Sequence, residues 1–302
     1  MSDDTEYSSY GVKRNEEYGA RELDPKPADA EIGNFYLSQY YELLKSGKRA
    51  PDIRRLMDGG DNAQRERDWL RHGLYADIAD SILTFAPGMS TLDVGCGAGE
   101  LVAFLKDQGL EACGFEPSEL AVSVAREKEL EVHHANFDDF VANCREQQRR
   151  FDAVSMVHVL EHVPDPKLLL TSMRDLLNEG GILIVDVPND FNPLQEAARE
   201  ALDLEPWWII RPDHISYFGF DSLETLLQIC SYEIVDRYTT FPMEFFLLMG
   251  RRYTEEPATG AQCHAERRSF EHALPTSLRR KLYRAFAEIG IGRDCIAVAR
   301  KA

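Results

Sequence analysis

Three glycines at alternate positions give this chain its clearest chemical signal. They lie in Thr91-Leu-Asp-Val-Gly95-Cys-Gly97-Ala-Gly99-Glu100, which predicts an apolar strand, a tight turn and an amphipathic helix over 101–108. Glycine lets the backbone turn sharply and lets a ligand approach without a Cβ in the way. No Lys-Ser/Thr pair follows, which excludes a P-loop, and Glu100 stands where a dinucleotide loop has its third glycine. With acidic Asp93 before the turn, the pattern favours a cationic nucleoside without phosphates over a pyrophosphate.

A carboxylate at the end of the next predicted strand also fits a nucleoside ligand. This strand spans 111–116 and runs into Gly114-Phe-Glu116-Pro-Ser118. A carboxylate at such a strand tip can accept hydrogen bonds from both ribose hydroxyls. Glu116 would serve NAD equally well, so the glycine spacing decides between the two kinds of cofactor.

Several segments together resemble one enzyme family. Asp93-Val-Gly95-Cys-Gly97-Ala-Gly99 resembles the S-adenosylmethionine loop of class I methyltransferases. Phe151-Asp-Ala-Val-Ser-Met-Val-His158-Val-Leu-Glu161-His162-Val-Pro164 resembles the fourth-strand motif of the branch that includes ubiquinone-biosynthesis O-methyltransferases. Leu177-Asn-Glu-Gly-Gly181-Ile-Leu-Ile-Val is similar to the start of the family's fifth strand. The match covers about 91–189, and the flanking segments only loosely.

Strand-like and helix-like segments alternate after the glycine turn, which predicts a parallel sheet covered by helices on both faces. The resemblance implies an α/β fold, a doubly wound, mostly parallel seven-stranded sheet of the Rossmann-like methyltransferase type. Its seventh strand would be antiparallel and form a hairpin with the sixth.

Four segments make up the predicted domain organisation. We predict a poorly ordered leader over 1–30, an N-terminal helical lid or cap over 31–87 and the methyltransferase domain over 88–302. One long helix is predicted over 62–83 within the cap. An insert over 239–293 separates the sixth and seventh strands, and it contributes either to the substrate site or to an oligomer interface such as that of a homodimer.

The resemblance implies S-adenosyl-L-methionine as the cofactor and assigns its contacts residue by residue. The glycine loop would cradle it, Glu116 would hold the ribose, and Asn136 would face the adenine amino group, with Asp138 as a competing candidate. The implied cofactor-binding residues are Asp93, Gly95, Gly97, Gly99, Glu116, Asn136, Phe137, Val157 and His158.

Two histidines are candidates for a general base. Methyl transfer is an in-line displacement at the sulfonium methyl carbon, and a hydroxyl nucleophile must lose its proton. Histidine has the side-chain pKa nearest neutral pH. We rank His214, which follows Asp213, ahead of His162, which follows the fourth strand, and we treat Asp213 as a carboxylate able to orient His214. A purely structural role for His162 stays open.

His158-Val-Leu-Glu161-His162 also spells the His-x-x-Glu-His of inverted zinc peptidases. That motif needs both histidines on one helix face, whereas here it follows a predicted buried strand. We therefore reject a peptidase and predict a site without metal. Some ubiquinone-type relatives use a metal through acidic residues at this position, where His158 replaces one of them, so a divalent ion stays an alternative.

Aromatic residues indicate where the acceptor would bind. The predicted helix over 35–45 carries tyrosines suited to a lid, and the segment around Trp207 and Trp208 suggests a pocket wall, although packing explains each single aromatic residue as well. The substrate-binding candidates are Tyr36, Tyr40, Asp190, Tyr217 and Phe218.

Composition limits the classes of partner. The formal net charge of −18 argues against a nucleic-acid substrate, which needs a basic face, so we interpret the basic cluster over 279–284 as a solvated helix face. The longest near-apolar patch, 241–250, is about half of the ~20 residues of a membrane-spanning helix. Six cysteines without a Cys-x-x-Cys pair predict reduced thiols and a cytoplasmic location.

The predicted function is methyl transfer from S-adenosylmethionine to a hydroxyl of a small metabolite or sugar. An amine acceptor is the nearest alternative, because Asp186, Asp190 and Asp213 could hold a cation. Two alternatives come from other classes: an NAD(P)-dependent oxidoreductase, and a partner subunit that binds S-adenosylmethionine without catalysis.

Overall fold

The computed structural model describes residues 7–28 and 60–302 of this chain. The strands are β1 (Val12–Arg14), β2 (Arg21–Leu23), β3 (Ser90–Val94), β4 (Glu111–Glu116), β5 (Val132–His134), β6 (Phe151–Val157), β7 (Leu177–Pro188), β8 (Ser216–Tyr217), β9 (Tyr232–Tyr238) and β10 (Asp294–Lys301). The helices are α1 (Gly60–His72), α2 (Leu74–Phe85), α3 (Glu100–Asp107), α4 (Glu119–Glu127), α5 (Phe137–Glu146), α6 (Pro166–Leu176), α7 (Pro193–Leu202), α8 (Phe220–Ile229), α9 (Glu244–Leu248), α10 (Pro257–Ala273) and α11 (Thr276–Glu288).

Seven strands form one sheet in the order β5-β4-β3-β6-β7-β10-β9. The pairs β3–β4, β3–β6, β4–β5 and β6–β7 are parallel, whereas β10 is antiparallel to both neighbours. The predicted doubly wound, mostly parallel sheet with an antiparallel seventh strand is confirmed. Because the sheet order reverses beside β3, the carboxyl ends of β3, β4 and β6 surround the crevice where such sheets bind ligands.

Helices cover both faces of this sheet. Along β7, Leu183 and Val185 face the core made with α5, α6 and α8, while Ile182 and Ile184 face the core made with α2, α3 and α4. All four side chains are fully buried. A strand buried on both faces has a continuous apolar sequence instead of alternating apolar and polar residues. This explains the Ile-Leu-Ile-Val sequence of β7.

The paired glycines Gly180 and Gly181 lie inside β7. The strand already begins at Leu177, which pairs with Phe151, and the register shifts before Ala153 pairs with Ile182. Gly180 has φ +69°, a conformation that glycine adopts without a Cβ penalty. The glycines therefore lie in an irregularity inside a longer strand.

Residues 7–28, part of the segment for which we predict a poorly ordered leader, contain two short strands. β1 and β2 pair with each other, and β2 pairs with β8 to form a second, three-stranded sheet. Tyr7, Val12 and Leu23 are almost fully buried against Trp208 and Tyr217. This apolar cluster orders a segment whose overall composition is polar.

The cap differs from the prediction in one respect. The single helix expected over 62–83 is two helices, because the chain bends at Gly73, where a Cβ would lie 3.1 Å from the carbonyl oxygen of Trp69. α2 packs Ile78 and Ile82 onto the sheet. Tyr36 and Tyr40, the predicted lid tyrosines, lie outside the described residues.

The insert before β10 consists of α9, α10 and α11, and it packs against α1 and α2. Glu66 on α1 is fully buried between His264 (3.0 Å) and Arg268 (2.8 Å) of α10. On α11, Arg279 is 2% exposed and donates through Nη2 to Asp77 at 2.9 Å. The interpretation of 279–284 as a solvated face is therefore wrong for Arg279, whose charge is paired internally. A homodimer interface on the insert stays a prediction.

Two further observations concern the whole described part of the chain. No helix within residues 7–28 and 60–302 combines the length and the apolar character that a membrane span requires. All six cysteines are buried and none forms a disulfide.

α7 begins at a complete capping box that also anchors the segment after β7. The Asn192 side chain accepts hydrogen bonds from the backbone N–H groups of Leu194 (2.9 Å) and Gln195 (3.1 Å), and its amide donates to the carbonyl of Asn189 at 2.7 Å. We expect Asn192→Ala to lower the free energy of unfolding by about 1–2 kcal/mol, because these groups lose their partners. Urea denaturation would measure the change, and Glu200→Ala on the exposed face of the same helix is the matched control. Equal stability of the two variants would contradict this account of the cap.

Candidate active site

The glycine loop after β3 adopts a backbone that side chains disfavour. Gly95, Gly97 and Gly99 have φ values of +65°, +52° and +75°. A Cβ at Gly99 would lie 2.6 Å from Leu130 Cδ1, whereas a Cβ at Gly97 would meet nothing within 4 Å. Gly99 is thus fixed by packing, and the backbone of Gly97 borders open space where a ligand can approach closely.

Glu116 at the tip of β4 is fixed beside this loop. Its carboxylate accepts hydrogen bonds from the backbone N–H of Gly97 at 3.1 Å and of Ser118 at 2.9 Å. Burial raises the pKa of Glu116, and the two hydrogen bonds act against that shift. The carboxylate and the open face of Gly97 therefore form a cradle that suits the ribose of a nucleoside.

Asp93 lies beneath the loop rather than on its surface. It is 4% exposed, and the hydroxyl of Ser155 on β6 donates to its Oδ1 at 2.8 Å. Burial raises the pKa of Asp93 to about 7, with the Ser155 hydrogen bond opposing the shift. This geometry gives Asp93 a role in holding β3 and β6 together below the cradle.

The predicted adenine contact is also a helix cap. The Asn136 side chain accepts from the backbone N–H of Asp139 at 2.9 Å and donates to the Asp139 carboxylate at 2.9 Å. Phe137 packs partly against the core, and Asp138 is exposed in the first turn of α5. Asn136 would therefore have to exchange its cap contacts for an adenine contact, while Asp138 has no such constraint.

The segment after β6 touches the glycine loop. A Cβ on Gly95 would come within 2.9 Å of Val159 Cγ2, so the two loops are in close contact. His158 has φ +53°, which is uncommon outside glycine, and its N–H donates to the carbonyl of Asp186 at 2.9 Å. A short 3₁₀ turn, Leu160–His162, follows. The segment therefore carries three titratable side chains, those of His158, Glu161 and His162.

Glu161 is the central charge of this group. Its Oε1 lies 3.3 Å from Nδ1 of His158 and 3.6 Å from Nε2 of His162, and the side chain is 1% exposed. Burial opposes its ionisation, but the neighbouring His162 and His158 lower the pKa of Glu161 to about 2. Burial also disfavours a charged His158, yet Asp186, Glu161 and Asp294 raise the pKa of His158 to about 10. Sequence reasoning placed Glu161 only within a motif and missed this bridging position.

Asp213 contacts His162 through both its carbonyl and its carboxylate. Nδ1 of His162 lies 2.8 Å from the Asp213 carbonyl oxygen and 3.1 Å from Asp213 Oδ1. A carbonyl only accepts hydrogen bonds, so Nδ1 carries the proton and Nε2 is the nitrogen able to take up another. The His214 ring lies 4.9 Å from that of His162, centroid to centroid. The structure thus brings the three predicted residues together and puts the Asp213 carboxylate in contact with His162.

Comparisons with known proteins identify the family. A family model described as a methyltransferase domain matches residues 69–236, which is more than half of the chain. A ubiquinone biosynthesis O-methyltransferase from Dinoroseobacter shibae is 32% identical over 181 residues, covering 56% of this chain and 71% of that protein. The chain belongs to the class I S-adenosylmethionine-dependent methyltransferases.

Other relatives of this methyltransferase match over a shorter stretch. A ubiquinone biosynthesis O-methyltransferase from Glaesserella parasuis is 33% identical over 110 residues, which are 34% of this chain and 46% of that protein. The chain spans about half the length of several such curated relatives.

Solved structures share the fold of this methyltransferase. A methyltransferase from Archaeoglobus fulgidus superposes with a TM-score of 0.51 at 16% identity and covers 87% of this chain and 100% of that one. The magnesium protoporphyrin IX methyltransferase from Synechocystis PCC 6803 with bound S-adenosylmethionine gives 0.51 at 13% identity, covering 93% and 100% of the two chains. At these identities the likeness concerns the fold.

The methyltransferase buries two of its predicted substrate residues completely. Tyr217 and Phe218 are each 1% exposed, and the Tyr217 hydroxyl contacts the backbone of Ile210. Both side chains belong to buried clusters and offer no surface to a ligand in this conformation. Asp190 is 7% exposed and accepts a long hydrogen bond from Gln195 at 3.5 Å.

Two buried carboxyls, Asp190 and Glu244, make a contribution to stability that falls with rising pH. Burial raises the pKa of Asp190 to about 8 and that of Glu244 to about 7. Between the ordinary carboxyl pKa near 4 and these values the folded chain holds protons that the unfolded chain has released, so the free energy of unfolding decreases as pH rises. We expect the free energy of unfolding to fall less steeply with pH in Asp190→Asn than in wild type. Relative to wild type, the variant should therefore be more stable at about pH 8.5 than it is at about pH 5.

Urea denaturation at these two pH values would measure the effect. Asp221→Asn on the exposed part of α8 is the matched control and should leave the decline unchanged. A decline as steep in Asp190→Asn as in wild type would contradict the assignment of Asp190 as a neutral buried acid.

Proposed function

We propose that this methyltransferase transfers the methyl group of S-adenosylmethionine to a hydroxyl oxygen of a small metabolite or sugar, with His162 as the general base. The observation that carries the assignment is the hydrogen bond of His162 Nδ1 to the Asp213 carbonyl, which leaves Nε2 as the proton acceptor. From the sequence alone His214 ranked first, and the contact of Asp213 with His162 reverses that order. His214 then borders His162 as a neighbouring ring.

In the proposed step the acceptor oxygen attacks the methyl carbon in line with the sulfur. The oxygen–carbon bond forms as the carbon–sulfur bond breaks, and its electron pair goes to sulfur, giving neutral S-adenosylhomocysteine. The hydroxyl proton moves to Nε2 of His162. Ionised Glu161, 3.6 Å from that nitrogen, would stabilise the imidazolium that results.

The cofactor would lie over the loop of Gly95, Gly97 and Gly99 with its ribose hydroxyls on Glu116. The open space at Gly97 and the fixed Glu116 carboxylate support this placement. The contact of Gly95 with Val159 supports a methyl group presented toward the segment that carries His162. Alignment of this kind supplies much of the catalysis in displacement reactions.

The names of the relatives support oxygen as the acceptor atom, since several are ubiquinone biosynthesis O-methyltransferases. An amine is the second candidate. The buried carboxyl groups of Asp190 and Glu244 lie at the same edge of the sheet and, when ionised, would favour a cationic group.

A paired acceptor screen would test the proposal. Purified protein and S-adenosylmethionine would be incubated with hydroxyl compounds and with their amine analogues, and S-adenosylhomocysteine release would be measured. We expect turnover with hydroxyl compounds, and we expect His162→Asn to lower it by about 10²–10⁴-fold. Turnover confined to amines would contradict the assignment of a hydroxyl acceptor. Turnover that His162→Asn leaves unchanged would contradict the assignment of His162 as the base.

A further inference from the structure

The hairpin segment, residues 7–24, contains β1 and β2 and is joined to the loop over 210–215 that carries Asp213. β2 pairs with β8 in antiparallel register. The backbone N–H of Leu23 continues this pairing and donates to the carbonyl of Ile215 at 2.9 Å. The hairpin segment therefore holds the chain just beyond Asp213.

Arg211 connects the same loop to the hairpin segment on the other side of Asp213. Its Nη2 donates to the carbonyl of Tyr10 at 2.8 Å and to that of Gly11 at 2.6 Å, across 201 and 200 positions of sequence. The Gly11 carbonyl also accepts a hydrogen bond from the N–H of Asp24 at 2.8 Å, so Arg211 binds where the hairpin segment closes on itself. Because hydrogen bonds from a charged donor are roughly twice as strong as neutral ones, the guanidinium is a firm anchor.

The Arg211 guanidinium occupies space that only glycine leaves free at position 11. Gly11 has φ +62°, in the left-handed region where a side chain is disfavoured. A Cβ at this position would lie 2.0 Å from Nη2 of Arg211. Any side chain at position 11 would therefore displace the guanidinium, which makes Gly11 the second half of this anchor.

Packing against the segment after β7 fixes the hairpin segment itself. The Tyr7 ring meets that of Phe191 edge-on at 4.7 Å between centroids, and its hydroxyl donates to the Glu196 carboxylate on α7 at 2.5 Å. The Arg21 guanidinium lies 4.3 Å from the centroid of the Phe191 ring, a cation–π contact. The hairpin segment is thus tied to the chain after β7 as well as to the loop over 210–215.

Between its two anchors this loop contacts the residues of the proposed proton transfer. The carbonyl oxygen and Oδ1 of Asp213 lie 2.8 Å and 3.1 Å from Nδ1 of His162. The N–H of Ile215 donates to the carbonyl of Glu161 at 2.8 Å. Since the Asp213 side chain is 1% exposed, protein contacts and not solvent determine where it lies.

We propose that the hairpin segment positions the general base, and that Arg211 is the positioning residue that holds Asp213 against His162. This inference rests on the proposed function, in which Nε2 of His162 takes the acceptor proton. With Nδ1 bonded to a fixed carbonyl, Nε2 points in one direction and stays free to accept. A misplacement of about 1 Å of such a group can lower the rate on the order of 100-fold, so an anchor that acts through Asp213 affects catalysis.

Steady-state kinetics with an acceptor from the paired screen are the first measurement. We expect Arg211→Ala to lower kcat about tenfold or more, because the loop that carries Asp213 loses one of its two anchors. Affinity for S-adenosylhomocysteine should stay at the wild-type value, since the glycine loop and Glu116 follow other strands. Arg211→Lys should recover part of the lost kcat, because its ammonium group can donate to the same carbonyls.

Arg174→Ala is the matched control for the kinetics. Arg174, on α6, also donates to two backbone carbonyls, those of Ser231 at 3.2 Å and Ala302 at 3.0 Å. Ala302 follows β10, and because β10 is antiparallel to β7 it ends at the edge of the sheet opposite the candidate site. Arg174→Ala should therefore keep the wild-type kcat.

Nitrogen-15 NMR of the histidine rings tests the same contact without an acceptor. In wild type the neutral His162 ring should carry its proton on Nδ1, whereas Arg211→Ala and Gly11→Ala should give a mixture of the two tautomers. The signal missing from His162→Asn identifies His162. S-adenosylhomocysteine binding, measured on the same samples, shows that each variant is folded.

Wild-type kcat in Arg211→Ala, or a His162 signal that neither Arg211→Ala nor Gly11→Ala changes, would overturn the proposal. Lower thermal stability with both of these unchanged would show that the hairpin segment is merely structural and would overturn it as well. Unchanged turnover in His162→Asn would instead contradict the proposed base. The His162 tautomer in Arg211→Ala would then still show whether Arg211 holds Asp213 in place.

Discussion

Replacing Glu116 by alanine is expected to weaken binding of S-adenosylhomocysteine about 100-fold. Two hydrogen bonds from ribose hydroxyls to an ionised carboxylate contribute about 1.5 kcal/mol each, and ~3 kcal/mol corresponds to about two orders of magnitude in affinity. The carboxylate also orders the loop by accepting from the N–H groups of Gly97 and Ser118. Glu116→Gln keeps one acceptor oxygen but loses the charge, so its loss should be smaller, about tenfold.

Glu111→Gln is the matched control for this prediction. Glu111 begins the same strand at the opposite edge of the sheet and is exposed. Isothermal titration calorimetry should give wild-type affinity for Glu111→Gln. If Glu116→Ala also kept wild-type affinity, the ribose assignment would be wrong even though the fold is that of a methyltransferase.

Removing the imidazole of His162 is expected to reduce kcat by about 10²–10⁴-fold, the range that general base catalysis supplies. His162→Asn is the appropriate variant, because the Asn amide can still donate to the Asp213 carbonyl as Nδ1 does. Affinity for S-adenosylhomocysteine should stay unchanged, since the side chain acts on the acceptor proton. The measurement is steady-state turnover with an acceptor found in the paired screen.

His214→Asn decides between the two histidines. With His162 as the base, His214→Asn should cost much less in kcat, because His214 would be a neighbour of the base rather than the base itself. A larger loss in His214→Asn than in His162→Asn would restore the order that the sequence alone suggested. Equal and small losses would point to an acceptor that needs no base, as expected for an amine.

Regular elements with strong local patterns were predictable. The bounds predicted for β4 agree with the structure, because the strand is a largely apolar run between turn residues. The antiparallel seventh strand followed from the family resemblance, and β10 confirms it. The local sequence pattern was enough to predict those elements whose structure does not depend on distant partners.

Elements that depend on distant partners were missed. β1 and β2 have three residues each, and β2 is ordered by pairing with the two-residue β8, which is remote in sequence. Gly73 separates α1 from α2 in the cap. An isolated glycine within a helical pattern is only weak evidence that a helix ends there. Neither feature has a periodic signal.

Some features of the candidate site could be predicted from the sequence and others could not. The glycine loop and Glu116 were predictable because strand ends determine their location. The contact of Asp213 with His162 and the meeting of Asp186 with Asp294 were not, because each joins side chains from separate strands or loops. Sequence adjacency suggested Asp213 for His214, whereas the structure places the Asp213 carboxylate 3.1 Å from His162.

The central claim is that this chain binds S-adenosylmethionine at the glycine loop. Its most direct test is calorimetric titration of the wild-type protein with S-adenosylhomocysteine and, in parallel, with NAD. The account predicts saturable binding of S-adenosylhomocysteine that Glu116→Ala weakens, and no binding of NAD. No binding of S-adenosylhomocysteine, or binding of NAD alone, would contradict it.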